Sequence, residues 1–283
     1  MVRDVLTVLV VAVAVLALGL LGYRLFFGDE ALDPLTIRRV EGDVRHEHEG
    51  ARSAAEVGGI LLPDDRLLAG EGGRAVLSFG EDSQLVVDQS SALRVLGEGS
   101  EGVRVELEDG RVEATVRRGG PVLDVVTGDR EVRADEGTFT VARDDDSTWV
   151  QLDDGELSLT GFGEVQALRA GEAIVANDGG AATRLDEGLL LEVSWPEKAT
   201  REESVEVAGT TDPGARVRIE GGYETVEVLA DNSGSWRVEV RLREGDNALR
   251  VLAVDPLGRT RESPYELLRD TKPPTAEFQV GGL

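Results

Sequence analysis

A period-two alternation of apolar residues, punctuated by Asp-Gly turns, constrains this chain more than any other feature. Around Gly110, the apolar residues Val105, Leu107, Val112 and Ala114 stand at offsets −5, −3, +2 and +4; around Gly155, Val150, Leu152, Leu157 and Leu159 occupy the same four offsets. Period two places every second side chain on one face, as a half-buried strand requires. The spacing predicts two hairpins with tight turns at Asp109-Gly110 and Asp154-Gly155. In a third, looser version Leu77, Phe79, Leu85 and Val87 flank Gly80-Glu81-Asp82-Ser83-Gln84. No segment after Phe27 sustains a helical period, so the body is all-β. Stacked hairpins of this kind close a core either as a β-sandwich or as a short solenoid-like wrap, and the pattern accommodates both.

The amino-terminal part is of another kind. Val5 to Tyr23 is an apolar run of nineteen positions interrupted only by Thr7, Gly19 and Gly22. As a helix it is about 28 Å long, enough to cross a bilayer core. Ala17-Leu18-Gly19 also resembles a signal-peptidase site, but the run continues through Leu20, Leu21 and Leu25 to Phe27, longer than an ordinary signal core. We therefore expect residues 1–4 as a cytoplasmic stub, 5–27 as a retained transmembrane anchor and 28–35 as a linker. Arg24, Arg38, Arg39 and Arg45 after the span argue by the positive-inside rule for a cytoplasmic body. Long folded domains translocate largely regardless of charge, and both extramembrane segments resemble envelope modules on the residues named below, so we expect the body in the periplasm, on a single-pass inner-membrane protein.

The formal net charge is −25. Such a surface repels nucleic acid, which is not expected as a partner. The chain has no cysteine, which removes disulfides, thiol chemistry and a cysteine-linked lipid anchor. Its length of 283 residues exceeds what one small core organises. We divide the body into a first β domain over 36–185, a second over 186–272, and a flexible tail over 273–283. Gly161 to Gly188 reads as the mixed end of the first domain and a linker, with Asn177-Asp178-Gly179-Gly180 its flexible point. In the second domain, strands are expected at Val205 and Val207, Val217 and Ile219, Val226 and Val228, Trp236 to Leu242, and Leu249 to Val254. Turns are expected at Gly209, Pro213-Gly214, Asp231-Asn232-Ser233-Gly234 and Gly245-Asp246-Asn247.

Several ordered segments carry a resemblance. Asp65-Arg66-Leu67-Leu68-Ala69-Gly70, Gly73 to Phe79, Val105 to Val116, Glu136 to Val141, Trp149 to Leu159 and Ala170-Gly171-Glu172 together resemble the FecR domain over roughly residues 36–175. That resemblance implies an all-β periplasmic domain on a single-pass protein and, in the best-known members, signalling to a sigma factor. The chain departs from the pattern at Thr127-Gly128, where the family has Thr-Pro, and at Glu81-Asp82-Ser83, where it has Asp-Gly-Ser. Only Met1 to Asp4 precede the span, too few residues to grip a sigma factor. Ser235 to Val240, Glu244 to Asn247 and Ala253 to Gly258 look like a bacterial Ig-like β-sandwich, a module that commonly serves as a spacer or a contact unit.

No catalytic constellation emerges. Gly97-Glu98-Gly99-Ser100-Glu101-Gly102 matches a dinucleotide fingerprint, but a strand, not a helix, is expected after it, so it reads as a loop and no cofactor is expected. His46 and His48 lie two apart, would share one strand face and could share a metal, with Glu47 and Glu49 opposite. Asp144-Asp145-Asp146 and Asp231-Asn232-Ser233 invite calcium, yet lack the distal bidentate glutamate of a full loop, and Asp144 to Ser147 fits a hairpin cap as well. The candidate metal residues are thus His46, His48, Asp144, Asp146 and Asp231. The expected function is non-enzymatic binding, scaffolding or regulation in the cell envelope, with a protein or glycan as partner and the membrane engaged through Val5–Tyr23. The alternatives are a transmembrane regulator of the anti-sigma type and a cell-surface glycan binder, the latter poor in the aromatic platforms that sugars need.

Overall fold

The computed structural model describes residues 34–98 and 102–272, and these contain no helix. The expected stub 1–4, the anchor 5–27, most of the linker and the tail 273–283 lie outside the described residues. Among the described residues no helix is long and apolar enough to cross a membrane.

Fourteen strands form one sheet: β1 (Thr36–Glu41), β2 (Val44–His48), β3 (Ala51–Ala54), β4 (Arg66–Ala69), β5 (Arg74–Phe79), β6 (Ser83–Val87), β7 (Ser91–Glu98), β8 (Gly102–Val116), β9 (Val122–Thr127), β10 (Arg130–Asp144), β11 (Ser147–Thr160), β12 (Ala167–Arg169), β13 (Ala173–Asn177) and β14 (Thr183–Leu185). The sheet doubles over a single core that runs from Leu35 to Ala176. Three long strands, β8, β10 and β11, pass through both layers. The first half of β8 pairs with β7 and β9, its second half with β6 and β10.

Here the structure corrects the sequence reading. Asp109-Gly110 and Asp154-Gly155 are not hairpin turns; each lies inside a continuous strand and bends it. Gly102 in β8 pairs in parallel with Val122 in β9. A straight strand of that length would hold its ends about 46 Å apart, whereas the connection 117–121 spans at most about 20 Å. β8 must therefore fold over itself, and Gly110, at φ +89°, is where it does. Burial changes parity there: Val103, Val105 and Leu107 point inward before the bend, Val112, Ala114 and Val116 after it. A hairpin and a corner both place apolar residues at −5, −3, +2 and +4, so the pattern alone does not separate them. The inward face itself is as expected, with Leu107 and Leu152 fully buried.

The corner of β10 and β11 is tighter. Gly137 and Gly155 face each other in register, at φ +133° and +95°. A methyl on Gly155 would sit 2.7 Å from the Gly137 Cα, and one on Gly137 would sit 2.4 Å from the Asp154 carbonyl oxygen. Only backbone fits between the two strands. True hairpins occur elsewhere: β5 and β6 close at Gly80-Glu81-Asp82, as the looser pattern predicted, and β10 and β11 close at Asp145-Asp146, with Asp144 opposite Ser147.

Asn177-Asp178-Gly179-Gly180 is also not a free linker. Arg130 is fully buried, lies 5.5 Å from the Phe162 ring centroid and donates to Asp178 at 2.9 Å. Arg143 donates to the other carboxylate oxygen at 2.8 Å. Two arginines on one aspartate pin this turn to the sheet.

Beyond it, β15 (Leu191–Ser194), β17 (Ser204–Thr211) and β20 (Ser235–Arg241) form one sheet. A second sheet comprises β16 (Ala199–Thr200), β18 (Arg216–Glu220), β19 (Val226–Leu229), β21 (Gly245–Val254) and β22 (Thr260–Arg269). Both enclose one apolar cluster built on Val207, Val217, Ile219, Trp236, Val240, Leu249, Val251 and Leu267. Two expected turns are displaced. Gly209 lies inside β17, where a side chain would collide with the Trp236 ring, and Gly245-Asp246-Asn247 opens β21. The buried Asn247 amide accepts from Arg243 N–H and donates to the Arg243 and Gly245 carbonyls, capping the turn before it.

The Gly137–Gly155 corner makes a quantitative prediction. Gly155→Ala combines a left-handed backbone with a collision and is expected to lose about 3 to 4 kcal/mol of stability in urea unfolding. Gly171→Ala has a similar φ of +86° in open surroundings, and its loss should be only about 1 kcal/mol.

Candidate functional site

The antiparallel register of β2 against β4, with His46 opposite Leu67 and Glu47 opposite Arg66, brings the next residue of β2, His48, alongside Asp65. The two histidines do share a face, as their spacing predicted. Both turn onto the carboxylate of Asp65: His46 Nε2 lies 2.7 Å from Oδ2 and His48 Nδ1 2.6 Å from Oδ1. The Leu62 N–H donates to Oδ2 at 2.9 Å. Asp65 is 2% exposed. Burial alone would raise its pKa, but the hydrogen bonds from Leu62, His48 and His46 outweigh it and hold the carboxyl below its ordinary range. An ionised carboxylate only accepts, so the two ring nitrogens facing it carry protons. The hydrogen bond and charge of Asp65 raise the pKa of His48. Glu47 points the other way, to Arg52 at 2.7 Å, while Glu49 lies in the turn at φ +48°.

A second feature is a cleft of about 490 Å³ where the two cores meet. Its walls carry Asp109, Arg111 and Asp144 from the first sheet and Arg216, Leu229 and Pro256 from beyond it. Burial and then the charge of Asp144 push the Asp109 carboxyl above its ordinary pKa. The wall arginines are tied back: Arg111 donates to Asp88 at 2.7 Å, and Arg216 lies 3.6 Å from Glu227. Below the cleft, Trp149, Ala142, Ala173, Val175 and Leu257 form a small apolar seam. The indole sits so close over Gly214 that a methyl there would be 2.7 Å from Cζ2. Arg259 completes the join, donating to Asp255 at 2.6 Å and to the carbonyls of Asp186 and Gly188 at 3.2 and 3.3 Å.

The remaining candidates are scattered. Asp144 ends β10 and lines the cleft, whereas Asp146 sits in the hairpin turn, its carbonyl accepting from Asp178 N–H at 2.6 Å. Asp231 spends Oδ1 on its own loop, accepting from Ser233 N–H, Ser233 hydroxyl and Ser235 N–H. Gly97 belongs to β7 and Gly102 to β8, so strands stand on both sides of the fingerprint, whose residues 99–101 lie outside the described residues. Among the described residues no three His, Asp or Glu side chains converge as a metal ion requires. The residue that sequence reasoning passed over is Asp65. Its signal was the position directly before a strand that pairs with the histidine strand, which spacing along one segment does not reveal.

A family model described as FecR protein matches residues 65–158, from Asp65 through most of β11. No curated protein matches the chain. Two crystal structures of a protein described as an anti-sigma factor from Parabacteroides distasonis ATCC 8503, at 2.50 and 1.65 Å resolution, each align with TM-score 0.38 and 20% identity over 43% of this chain. The chain spans 59% of that protein's length. A tetra-tandem repeat in the extending region of a large adhesion protein aligns with TM-score 0.28 and 14% identity, over 86% of this chain and 68% of that one.

His48 and Asp65 set a pH dependence with a definite sign. The pKa of His48 is raised on folding, so its contribution is complete below about pH 6.5 and is lost as pH rises through the higher folded value. Asp65 is depressed, so its contribution is complete above about pH 4 and is lost on acidification below that. Calorimetry from pH 5.5 to 8.5 should show a falling melting temperature, with His48→Gln flattening that slope. Asp65→Ala, which strands three donors, should cost about 2 to 3 kcal/mol at pH 6.

Proposed function

We propose that the chain is a FecR-type regulatory protein of the cell envelope that works by contact and not by bond-making. In this reading residues 5–27 hold it in the inner membrane as a single span, and the body occupies the periplasm. The observation that carries the reading is the FecR match over residues 65–158. That segment supplies β4 through β11, including the glycine corners, so the family likeness falls on the centre of the first core.

A non-enzymatic role is supported by how the reactive groups are spent. The chain's two histidines face Asp65 and not the cleft. The arginines along β4, β7 and β8 are matched across the sheet: Arg66 with Glu108, Arg94 with Glu106, and Arg104 with Glu131 at 2.9 Å. We read residues 186–272 as an Ig-like sandwich, in keeping with three- and five-stranded sheets around one cluster. The contact surface we assign is the cleft, whose volume and single perturbed carboxyl are typical of a recognition site. Arginine and aspartate on facing walls suit a polar segment of another envelope protein better than a sugar, since no aromatic ring lines it.

The test uses the absence of native cysteine. Leu229→Cys, exposed on the cleft wall, carries a photocrosslinker in intact cells, with Arg201→Cys as a distant control. The expected product is an envelope protein in the membrane fraction, formed from position 229 alone. Protease added to spheroplasts should digest the body. Capture of a sigma factor or protection of the body from protease would refute the reading.

A further inference from the structure

The first body carries an exposed apolar strap that nothing in the cleft or the histidine hub explains. Val57, Ile60 and Leu62 are 66, 48 and 48% exposed, three large apolar side chains within six residues. Leu61, between the last two, is buried, so Ile60 and Leu62 share the outward face. The strap is not loose. Gly58 N–H donates to the Ile37 carbonyl and Ile37 N–H to the Gly59 carbonyl, both at 2.8 Å; Leu61 N–H donates to the Leu35 carbonyl at 2.9 Å. Leu62 N–H is held by Asp65. A patch fixed at this many points is presented ready-made, so little ordering entropy opposes its burial.

Position decides what can cover it. The strap is bonded to residues 35–37, at the start of β1, and only residues 24–34 separate that point from the end of the apolar run at Tyr23. Eleven residues reach at most about 40 Å when fully extended. The patch therefore adjoins the point where the tether enters the body and lies within its reach of the anchor. Residues 36–54 balance Arg38, Arg39, Arg45 and Arg52 against Glu41, Asp43, Glu47 and Glu49, so the strands beside the strap carry no net charge, while Glu56 and Asp64 lie within and beside the strap. All four of those arginines are exposed, Arg45 and Arg52 being paired with Asp43 and Glu47.

We propose that Val57, Ile60 and Leu62 seat the first body on the lipid surface of the membrane that anchors it, the side chains entering the headgroup and acyl boundary while the flanking arginines meet phosphate. The inference rests on the anchored reading of residues 5–27. Three aliphatic side chains give a weak surface contact on their own. Tethering makes it effective, because the span holds the patch at high local concentration against the bilayer. The body is then oriented and not free to swing, with the second core pointing away from the lipid.

The test is depth-resolved quenching on the full chain in lipid nanodiscs containing phosphatidylglycerol. The chain has no native cysteine, so a fluorophore can be placed singly at Val15→Cys, Ile60→Cys, Leu62→Cys or Tyr223→Cys and challenged with nitroxide-labelled lipids. Positions 60 and 62 should be quenched by label near the headgroup, Val15 by label deep in the acyl chain, and Tyr223 by neither. With the probe at Val57→Cys, Ile60→Asp/Leu62→Asp should abolish quenching while leaving the melting curve unchanged, since both residues are already exposed. Quenching at Val15 without quenching at 60 and 62 overturns the proposal and leaves the anchor standing. Absence of quenching at Val15 overturns the anchor itself. A blue shift at position 60 with no lipid quenching means a protein surface or a second copy covers the patch, and that also overturns the proposal.

Discussion

The first core rests on a steric requirement at one place, the close approach of the paired β10 and β11 backbones where Gly137 meets Gly155. A sheet of fourteen strands left open would expose an apolar face along its length. Folding it over buries that face against itself, and the fold runs through strands, not loops. Each long strand must then reverse the parity of its inward residues at the corner, which a regular pleat does not do. A glycine with positive φ supplies the extra turn, as in a bulge. Gly110 does this in β8 and the facing pair does it in β10 and β11. The continuous core from Leu35 to Ala176, and with it the placement of β2 beside β4, follows from those bends.

This accounts for what could and could not be read from the residues. The offsets around Gly110 and Gly155 correctly identified which side chains are buried, because inward parity is set by hydrophobicity alone. They did not identify the connectivity, because a two-residue hairpin and a strand corner impose the same parity change. Pairing partners far apart in sequence distinguish them, and those are invisible in a local window. Gly209 failed for a related reason: a glycine that makes room for Trp236 looks the same as a glycine that turns the chain. Asn177 to Gly180 has the composition of a linker, and its rigidity comes from Arg130 and Arg143, more than thirty residues away. The expected anchor over residues 5–27 lies outside the described residues.

Electrostatics follows the same logic of long-range pairing. An acidic chain with 30 basic residues could gather its arginines into a binding patch. Instead many are matched within the sheet: Arg94 stands opposite Glu106 on the neighbouring strand, while Arg66 and Arg104 each reach across one strand to Glu108 and Glu131, and such partly exposed pairs contribute little to stability. Their effect is on register: a strand shifted by one residue would turn these charges inward. The Asp65 hub differs because its carboxylate is buried and accepts three donors at once. It ties β2, β4 and the strap ending at Leu62 into one unit, so that protonation of one carboxyl would loosen all three together.

The seam between the cores shows how the second body is carried. Trp149 is buried on β11, and its indole N–H has no hydrogen-bond partner among the described residues. A ring placed there for hydrogen bonding would be poorly placed; one placed to fill space between Ala142, Ala173, Val175 and Leu257 is not. Arg259 reinforces the seam from the other side by holding the carbonyls of Asp186 and Gly188, the backbone that links the cores. A chain needing only a flexible spacer would spend neither a tryptophan nor a nearly buried arginine on that link. The geometry instead holds the two walls of the cleft together, with Asp109 on one and Arg216 on the other.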